Sequence, residues 1–192
     1  MGELAGEAGS RGARADDTQA AGVRAGGARA DDTRVDDTRA ARVEPLVVES
    51  YVALGDSFSE GVGDELPDGS CRGWADRLAQ RLAVLQPGLQ YANLAIRGKL
   101  LSQVIDEQLA PALAMRPDLV SIAAGGNDLL RLRTDPDTLA VSMAGAVAEL
   151  TAAGSQVVLF TGFDTGGFPL LRMIRGKAEA FNGHLRSIAA KH

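Results

Sequence analysis

The chain has 192 residues, of which 45% are hydrophobic and 23% are charged, and its formal net charge is −5. This composition predicts one folded domain with an attached tail, and the acidic balance argues against a nucleic-acid-binding surface. The single cysteine, Cys71, cannot close an internal disulfide, and no apolar run approaches the roughly 20 residues that a membrane-spanning helix requires.

Residues 1–44 are predicted to form a disordered, low-complexity tail. They contain mainly Ala, Gly, Arg, Asp and Thr, and they loosely repeat the unit Ala-Arg-Ala-Asp-Asp-Thr. With so few large apolar side chains, burial cannot offset the entropy lost on ordering the segment. The tail is either a solvated extension or a segment that binds cations or a partner. Its first residues lack the basic region and apolar core of a secretory signal, so we expect a cytoplasmic protein.

From residue 45 onward, segments typical of strands alternate with segments typical of helices. Strands are predicted at 47–54, 89–94, 119–123 and 156–161, and helices at 72–86, 100–115, 136–153 and most of 170–191. In the first helix, Trp74, Leu78, Leu82 and Leu85 recur at steps of three and four residues. Such alternation predicts a doubly wound α/β domain over residues 45–192, with a parallel sheet covered by helices on both faces.

Polar residues follow the first and third predicted strands directly. Gly55-Asp56-Ser57 ends the first strand, and Gly125-Gly126-Asn127-Asp128 ends the third. Because ligands of α/β proteins bind at the carboxyl ends of the strands, these residues are expected to converge on one crevice. A serine there is a candidate nucleophile, which would need a base within hydrogen-bond reach.

A serine nucleophile also needs hydrogen-bond donors for the oxyanion of the tetrahedral intermediate. The side-chain amide of Asn127 is one candidate, and the backbone N–H of Ser57 is another. Gly98 follows the second predicted strand, and a glycine there allows its N–H to approach a ligand closely. The pattern therefore predicts an acyl-transfer site built from Ser57, Gly98 and Asn127.

Three blocks of this chain resemble the SGNH hydrolases, also called GDSL esterases and lipases. The blocks are Gly55-Asp56-Ser57, Asn93 to Gly98, and Gly125 to Asp128, and the resemblance covers residues 50–192. It implies a three-layer αβα sandwich of flavodoxin-like type that hydrolyses small-molecule carboxylic esters without a cofactor or metal.

The resemblance also implies roles for individual residues. Ser57 would be the nucleophile, and the N–H groups of Ser57 and Gly98 would form the oxyanion hole with the Asn127 amide. Asp56 and Asp128 would be supporting acids beside the substrate.

The family's remaining block, Asp-x-x-His, supplies the general base and the acid that orients it, and this chain lacks a match. The residues three positions before His184 and His192 are Phe181 and Ala189. We therefore expect His184 to lie on a helix surface. The family pattern also implies a fifth strand and a final helix, so the domain is expected to be C-terminally incomplete, with strand four left as an uncovered edge.

Two other classes of function stay open. The chain could be an inactive fragment or a binding protein that retains the pocket without the base. A flavodoxin-like binder of nucleotide or flavin has less support, because no phosphate-binding loop follows strand one. The nucleophile-elbow motif of α/β-hydrolases is excluded, since Ser57 is followed by Phe58 and Ser59 and the second glycine of that motif is missing.

The sequence leaves three features near the predicted site undecided. Trp74 either packs in the core and rim or lines a substrate pocket. The glycine-rich segment 162–168 is either a plain connector or a substrate-contacting loop. Arg97 and Lys99 flank Gly98 and are either solvated loop charges or contacts for an anionic substrate group.

Overall fold

A computed structural model describes residues 47–162 and 173–192. The predicted tail and most of the glycine-rich segment after strand four lie outside these residues. No helix in the described ranges is long and apolar enough to cross a bilayer.

The sheet consists of four parallel strands in the order β2-β1-β3-β4. The strands are β1 (Ser50–Gly55), β2 (Gln90–Asn93), β3 (Leu119–Ala123) and β4 (Gln156–Leu159). The chain leaves β1 to build β2 on one side and then crosses back to build β3 and β4 on the other. The carboxyl ends of β1 and β3 therefore flank the topological switch point, where such sheets open a crevice. The predicted α/β class is confirmed.

The helices largely match the predicted segments, apart from two short helices that the sequence did not reveal. The helices are α1 (Ser57–Glu60), α2 (Trp74–Leu85), α3 (Leu101–Val104), α4 (Ala110–Met115), α5 (Gly126–Leu129), α6 (Pro136–Ala152) and α7 (Arg175–Lys191). The unpredicted α1 and α5 have four residues each, too few for a helical period to show in the sequence. They begin just after β1 and β3, so they carry the residues at the switch point.

The predicted helix at 100–115 is interrupted by a π-helical turn, Ile105–Leu109, between α3 and α4. Leu101, Val104 and Leu109 are buried, and the wider turn brings Leu109 onto the side of Val104. Gln108, four residues after Val104, lies on the same buried side and is only 2% exposed. The segment is therefore helical as predicted, but the sequence did not indicate the π-helical turn within it.

Of the four apolar residues whose spacing predicted α2, Trp74, Leu78 and Leu82 pack partly buried against the core, and Leu85 does not. Leu85 is 80% exposed, whereas Ala75 and Ala79 are fully or almost fully buried against Tyr51 and Ala53 of β1. At about 100° per residue, Leu85 lies about 100° from the direction midway between the two alanines. The small alanine side chains let the helix approach the sheet closely, and Leu78 and Leu82 pack against the same core cluster.

Side chains of β1 alternate between two helical layers. Val52 and Leu54 pack into the larger core with α3, α6 and α7, and Tyr51 and Ala53 pack against α2. The fold is therefore the three-layer arrangement that the sequence predicted.

The outer side of β4 is open within the described residues. β4 pairs with β3 alone, and Val158 is 42% exposed. Val158 is in register with Ser121 of β3, so it lies on the face of the sheet that α2 covers farther along, over β1. The predicted uncovered edge at strand four is thus present in the described part of the chain.

Candidate active site

The turn that carries Ser57 requires a glycine at position 55. Gly55 has φ of +150°, and a Cβ there would lie 2.4 Å from the carbonyl oxygen of Ala123 in the neighbouring strand. Asp56 then caps α1, because its side chain accepts a hydrogen bond from the N–H of Phe58 at 3.2 Å. Ser57 is consequently the first residue of α1, at the carboxyl end of β1.

Ser57 is partly exposed, and its hydroxyl has no hydrogen-bond partner among the residues that the structure describes. Its backbone N–H, in the first turn of α1, has no acceptor in those ranges either. Both groups are therefore available to a ligand at the switch point.

Asn127 links the Ser57 turn to the loop that contains Gly98. Its Nδ2 donates to Oδ2 of Asp56 at 3.2 Å and to the carbonyl oxygen of Lys99 at 3.0 Å. Both partners are acceptors, so the nitrogen of the amide must face them. Asp56 precedes Ser57 and Lys99 follows Gly98. The Asn127 amide therefore contacts a chain neighbour of each of the other two predicted site residues.

Gly98 is exposed, with φ of +78°, and a Cβ at this position would meet no atom within 4 Å. The backbone conformation, not crowding, is what favours glycine here. No acceptor for its N–H is found in the described ranges. Gly98 thus contributes a second unpaired backbone donor near Asn127.

The cations beside Gly98 are held by neighbouring acids. Arg97 Nη2 lies 2.9 Å from Oε1 of Glu60 on α1, and Lys99 Nζ lies 2.6 Å from Oε2 of Glu107. Arg97 also donates its backbone N–H to Glu60. These ion pairs join the Gly98 loop to its surroundings, and the Arg97 side chain stays 56% exposed within its pair.

Asp128 is 8% exposed and supports the same loop. Its Oδ2 accepts from the N–H of Leu101 at 2.9 Å, at the start of α3 and three residues after Gly98. No contact places Asp128 directly beside Ser57. The contacts of Asp128 are those of an anchor for the loop.

Asp56 is 7% exposed and has an unusual charge environment. Burial raises the pKa of its carboxyl above the ordinary value, and the nearby charge of Asp128 raises it further. The N–H of Phe58 acts in the opposite direction, because it donates to the carboxylate.

His184 lies on α7 with its side chain 39% exposed, consistent with the predicted helix-surface position. Its Nε2 is 2.7 Å from Oδ1 of Asp137, in the first turn of α6. His192 is the residue that follows α7. Neither histidine hydrogen-bonds to Ser57 in the described ranges, so neither is positioned to take the proton of the Ser57 hydroxyl.

Three aromatic side chains form a cluster beside the Ser57 turn. The ring centroids of Phe58 and Trp74 are 5.8 Å apart, those of Phe58 and Phe160 are 5.2 Å apart, and those of Trp74 and Phe160 are 4.5 Å apart. Trp74 thus packs at the rim of the sheet, next to the site. This contact joins the ends of β1 and β4 to the start of α2.

A cavity of about 140 Å³ lies between the ends of β1, β3 and β4 and helix α7. Its described walls include Asp56, Phe58, Leu129, Phe160 and Phe181, so they are mainly apolar. Such a cavity beside a polar cluster can hold the hydrocarbon part of a small molecule.

Two side chains with structural roles at the site were missed from the sequence. Asn93 donates from Nδ2 to the carbonyl oxygen of Ser59 at 2.8 Å and so connects the end of β2 to α1. Gln108 exchanges two hydrogen bonds with Gly55. A glutamine on the predicted apolar side of its helix, between Val104 and Leu109, was the available signal for Gln108.

The architecture is that of a parallel α/β protein with a serine at the switch point and with amide donors on the neighbouring loops. Residues 53–192 match the model of the GDSL-like lipase/acylhydrolase family, and the chain belongs to that family. The resemblance seen in the three sequence blocks is thereby confirmed.

Individual relatives agree with this assignment. A Streptomyces rimosus protein named lipase is 40% identical over 81 residues, which cover 41% of this chain and 30% of that protein. The matched segment therefore spans less than a third of this relative.

The fold also resembles solved structures. TesA has a TM-score of 0.60 and 28% identity, with 74% of this chain and 73% of TesA covered. A variant of Axe2, an acetyl xylan esterase from Geobacillus stearothermophilus, has a TM-score of 0.60 over 74% of this chain and 72% of its own, and its 19% identity supports the fold alone.

Proposed function

We propose that the protein is a serine hydrolase that cleaves carboxylic esters through an acyl-enzyme. The observation that carries this proposal is the position of the Asn127 amide, which contacts the residue before Ser57 and the residue after Gly98. These two contacts support a site in which Ser57, Gly98 and Asn127 act on one substrate carbonyl. Membership of the GDSL-like family supports ester hydrolysis as the general activity.

In the proposed reaction, Oγ of Ser57 attacks the carbonyl carbon of the ester, the C–O bond to the alcohol breaks, and the proton of the serine hydroxyl ends on the departing alcohol oxygen. Water then attacks the acyl-enzyme, releases the acid and restores the serine. The N–H groups of Ser57 and Gly98 and the amide of Asn127 would stabilise the oxyanion. Since both hydrogens of Asn127 Nδ2 already have acceptors, the amide must share one of them with the oxyanion.

The proposed substrate is an ester with a short apolar acyl group. The mainly apolar cavity of about 140 Å³ borders Asp56 and Phe58, the two neighbours of Ser57 in the chain. Its small volume favours a short acyl chain over a long one.

The nucleophile is expected to be weak in this chain. A serine hydroxyl needs a base for efficient attack, and the described contacts of Ser57 include none. We therefore expect slow turnover, supported by the oxyanion donors alone, as occurs when the other members of a catalytic triad are removed.

The lack of a base among the described contacts of Ser57 also favours a second candidate function, a binding protein that retains the pocket. In that case the crevice would hold an ester or its product without cleaving it. The pairing of His184 with Asp137 supports this candidate, because the histidine on α7 then binds a carboxylate on α6 instead of Ser57.

Fluorophosphonate labelling and hydrolysis of a chromogenic acetate ester test the proposal. Labelling is expected for the unsubstituted protein and for Ser142→Ala, a control on the exposed side of α6, but not for Ser57→Ala. Equal labelling of the unsubstituted protein and Ser57→Ala would refute the assignment of the nucleophile. Binding of the acetate ester without labelling or turnover would favour the binding protein.

A further inference from the structure

We infer that Gln108 is a positioning residue for Ser57, an inference that rests on the proposed hydrolase function. Its side-chain amide makes two hydrogen bonds to a single residue, Gly55, two positions before Ser57. The N–H of Gly55 donates to Oε1 at 2.8 Å, and Nε2 donates to the carbonyl oxygen of Gly55 at 2.9 Å. Gln108 therefore holds both polar groups of the residue from which the Ser57 turn begins.

Gly55 is in register with Ala123 of β3, but the carbonyl oxygen of Ala123 accepts from the N–H of Asp56, so the polar groups of Gly55 are directed toward the β2 side. The pairing of β1 with β2 ends at Ala53 and Asn93, so Gly55 extends beyond the last paired residue of β2. The loop after β2 provides one donor, the N–H of Ile96, to the carbonyl oxygen of Gly55 at 3.2 Å. The N–H of Gly55 still needs an acceptor, because a buried unpaired N–H is unfavourable. Gln108 provides that acceptor.

The π-helical turn places Leu109 beside Gln108 on the buried side of the helix. In a regular α-helix, Val104 and Leu109 would lie about 140° apart around the axis and could not share one buried face. The wider turn at Ile105–Leu109 brings both onto the buried side, with Gln108 beside them at 2% exposure. Such π-helical insertions occur frequently at functional sites. Gln108, four residues after Val104, would lie on this face in a regular helix as well, and the insertion adds Leu109 beside it.

The position of Gln108 separates it from residues that only stabilise the fold. Its two hydrogen bonds end on the residue next to Asp56, which in turn contacts Asn127. Loss of these bonds is expected to displace the start of α1 and the Ser57 hydroxyl, while β3 and α6 keep their packing. Misplacement of a reacting group by about 1 Å can reduce a rate about 100-fold.

Gln108→Glu provides a readout that a packing role would not produce. A protonated carboxyl group can accept from the Gly55 N–H and donate to its carbonyl oxygen, whereas a carboxylate can only accept. Relative to the unsubstituted protein at the same pH, Ser57 labelling by a fluorophosphonate should fall about 10- to 100-fold at pH about 8. The deficit should diminish as the pH is lowered and the carboxyl group takes up its proton.

Two further variants complete the test. Gln108→Met keeps a similar volume and removes both hydrogen bonds, so its labelling should be slow at every pH. Gln80→Met, on the exposed side of α2, is the matched control and should label normally. Normal labelling by Gln108→Met, or a deficit in Gln108→Glu that is equal at every pH, would overturn the inference.

Amide hydrogen exchange distinguishes failure of the inference about Gln108 from failure of the proposed hydrolase function. In Gln108→Met, the amide of Gly55 should lose protection, while the amide of Val120 in β3 keeps it. If the unsubstituted protein is not labelled at all, the hydrolase proposal fails, and exchange still decides whether Gln108 holds the turn. Unchanged protection at Gly55 would refute that role, and an equal loss at Val120 would show that Gln108 acts on the whole core.

Discussion

Nδ2 of Asn127 lies 3.2 Å from Oδ2 of Asp56, and this contact joins the ends of β3 and β1. The same nitrogen donates to the carbonyl oxygen of Lys99, in the loop after β2. One amide thereby connects the carboxyl ends of three neighbouring strands. A donor held in this way need not reorganise when charge develops on a bound carbonyl, which is the physical basis of oxyanion stabilisation.

Replacement of Asn127 by alanine should slow the labelling of Ser57 by fluorophosphonate about 10²- to 10³-fold, because an oxyanion donor and the link between the loops are both lost. The second-order labelling rate measures this effect, with Ser142→Ala as the surface control. A change of less than about threefold would mean that the amide does not act on the reacting carbonyl.

Asp56 should link folding to pH. Because burial raises the pKa of its carboxyl group, the folded protein binds this proton more tightly than the unfolded chain does. The resulting stabilisation is fully present below the ordinary pKa of 3.8 and is lost as the pH rises through the raised pKa. Asp56→Asn, which stays neutral, should therefore gain stability relative to the unsubstituted protein as the pH rises through this window. Urea unfolding at a series of pH values measures the difference, and a difference independent of pH would contradict the expectation.

Asp118 should have the opposite pH dependence. Its Oδ2 accepts from the N–H of Glu49 and from the N–H and hydroxyl of Ser50, each at 2.9 Å. The hydrogen bond from the Ser50 hydroxyl contributes most to lowering the pKa of Asp118 below its ordinary value of 3.8. The stabilisation is therefore present above pH 3.8 and is lost as the pH falls through the lowered pKa.

Asp118→Asn should accordingly reduce the free energy of unfolding by about 1–3 kcal/mol at neutral pH, with the deficit shrinking in acid. Urea unfolding measures it at both pH values. Asp106→Asn, on the exposed side of the π-helical turn, is the control and should be nearly neutral. An equal deficit in acid and at neutral pH would show that the charge of Asp118 is not the stabilising element.

The open side of β4 should promote self-association. Unpaired strand edges with exposed apolar side chains are templates for pairing with another chain, and a lysine on such a strand opposes that pairing. Val158→Lys should therefore reduce association measured by light scattering during size-exclusion chromatography. Val141→Lys adds the same charge at a 74% exposed valine on α6 and should have little effect. Equal effects of the two substitutions would show that net charge, and not the strand edge, controls association.

Local sequence signals were sufficient to predict the elements whose ends are marked by proline, glycine or a capping side chain. Residues 119–123 were predicted as a strand with the bounds that the structure has, because Pro117-Asp118 precedes an apolar run and glycines follow it. α6 ends within one residue of its predicted end, and its N-terminus is capped by the Asp135 side chain. These features depend on side chains that act on their own or neighbouring backbone, so they can be recognised from the sequence alone.

The sequence by itself determined the α/β class, the family and the placement of Ser57, Gly98 and Asn127 after successive strands, because periodicity and short motifs are local properties of the chain. Only the tertiary structure decided that Asp56 and Lys99 share the Asn127 amide, that alanines are the most buried residues of α2, and that Gln108 holds Gly55. Those contacts join residues that are 28 to 71 positions apart in the chain or depend on how closely two elements approach. Such partners are selected by packing in three dimensions, and no local pattern specifies them.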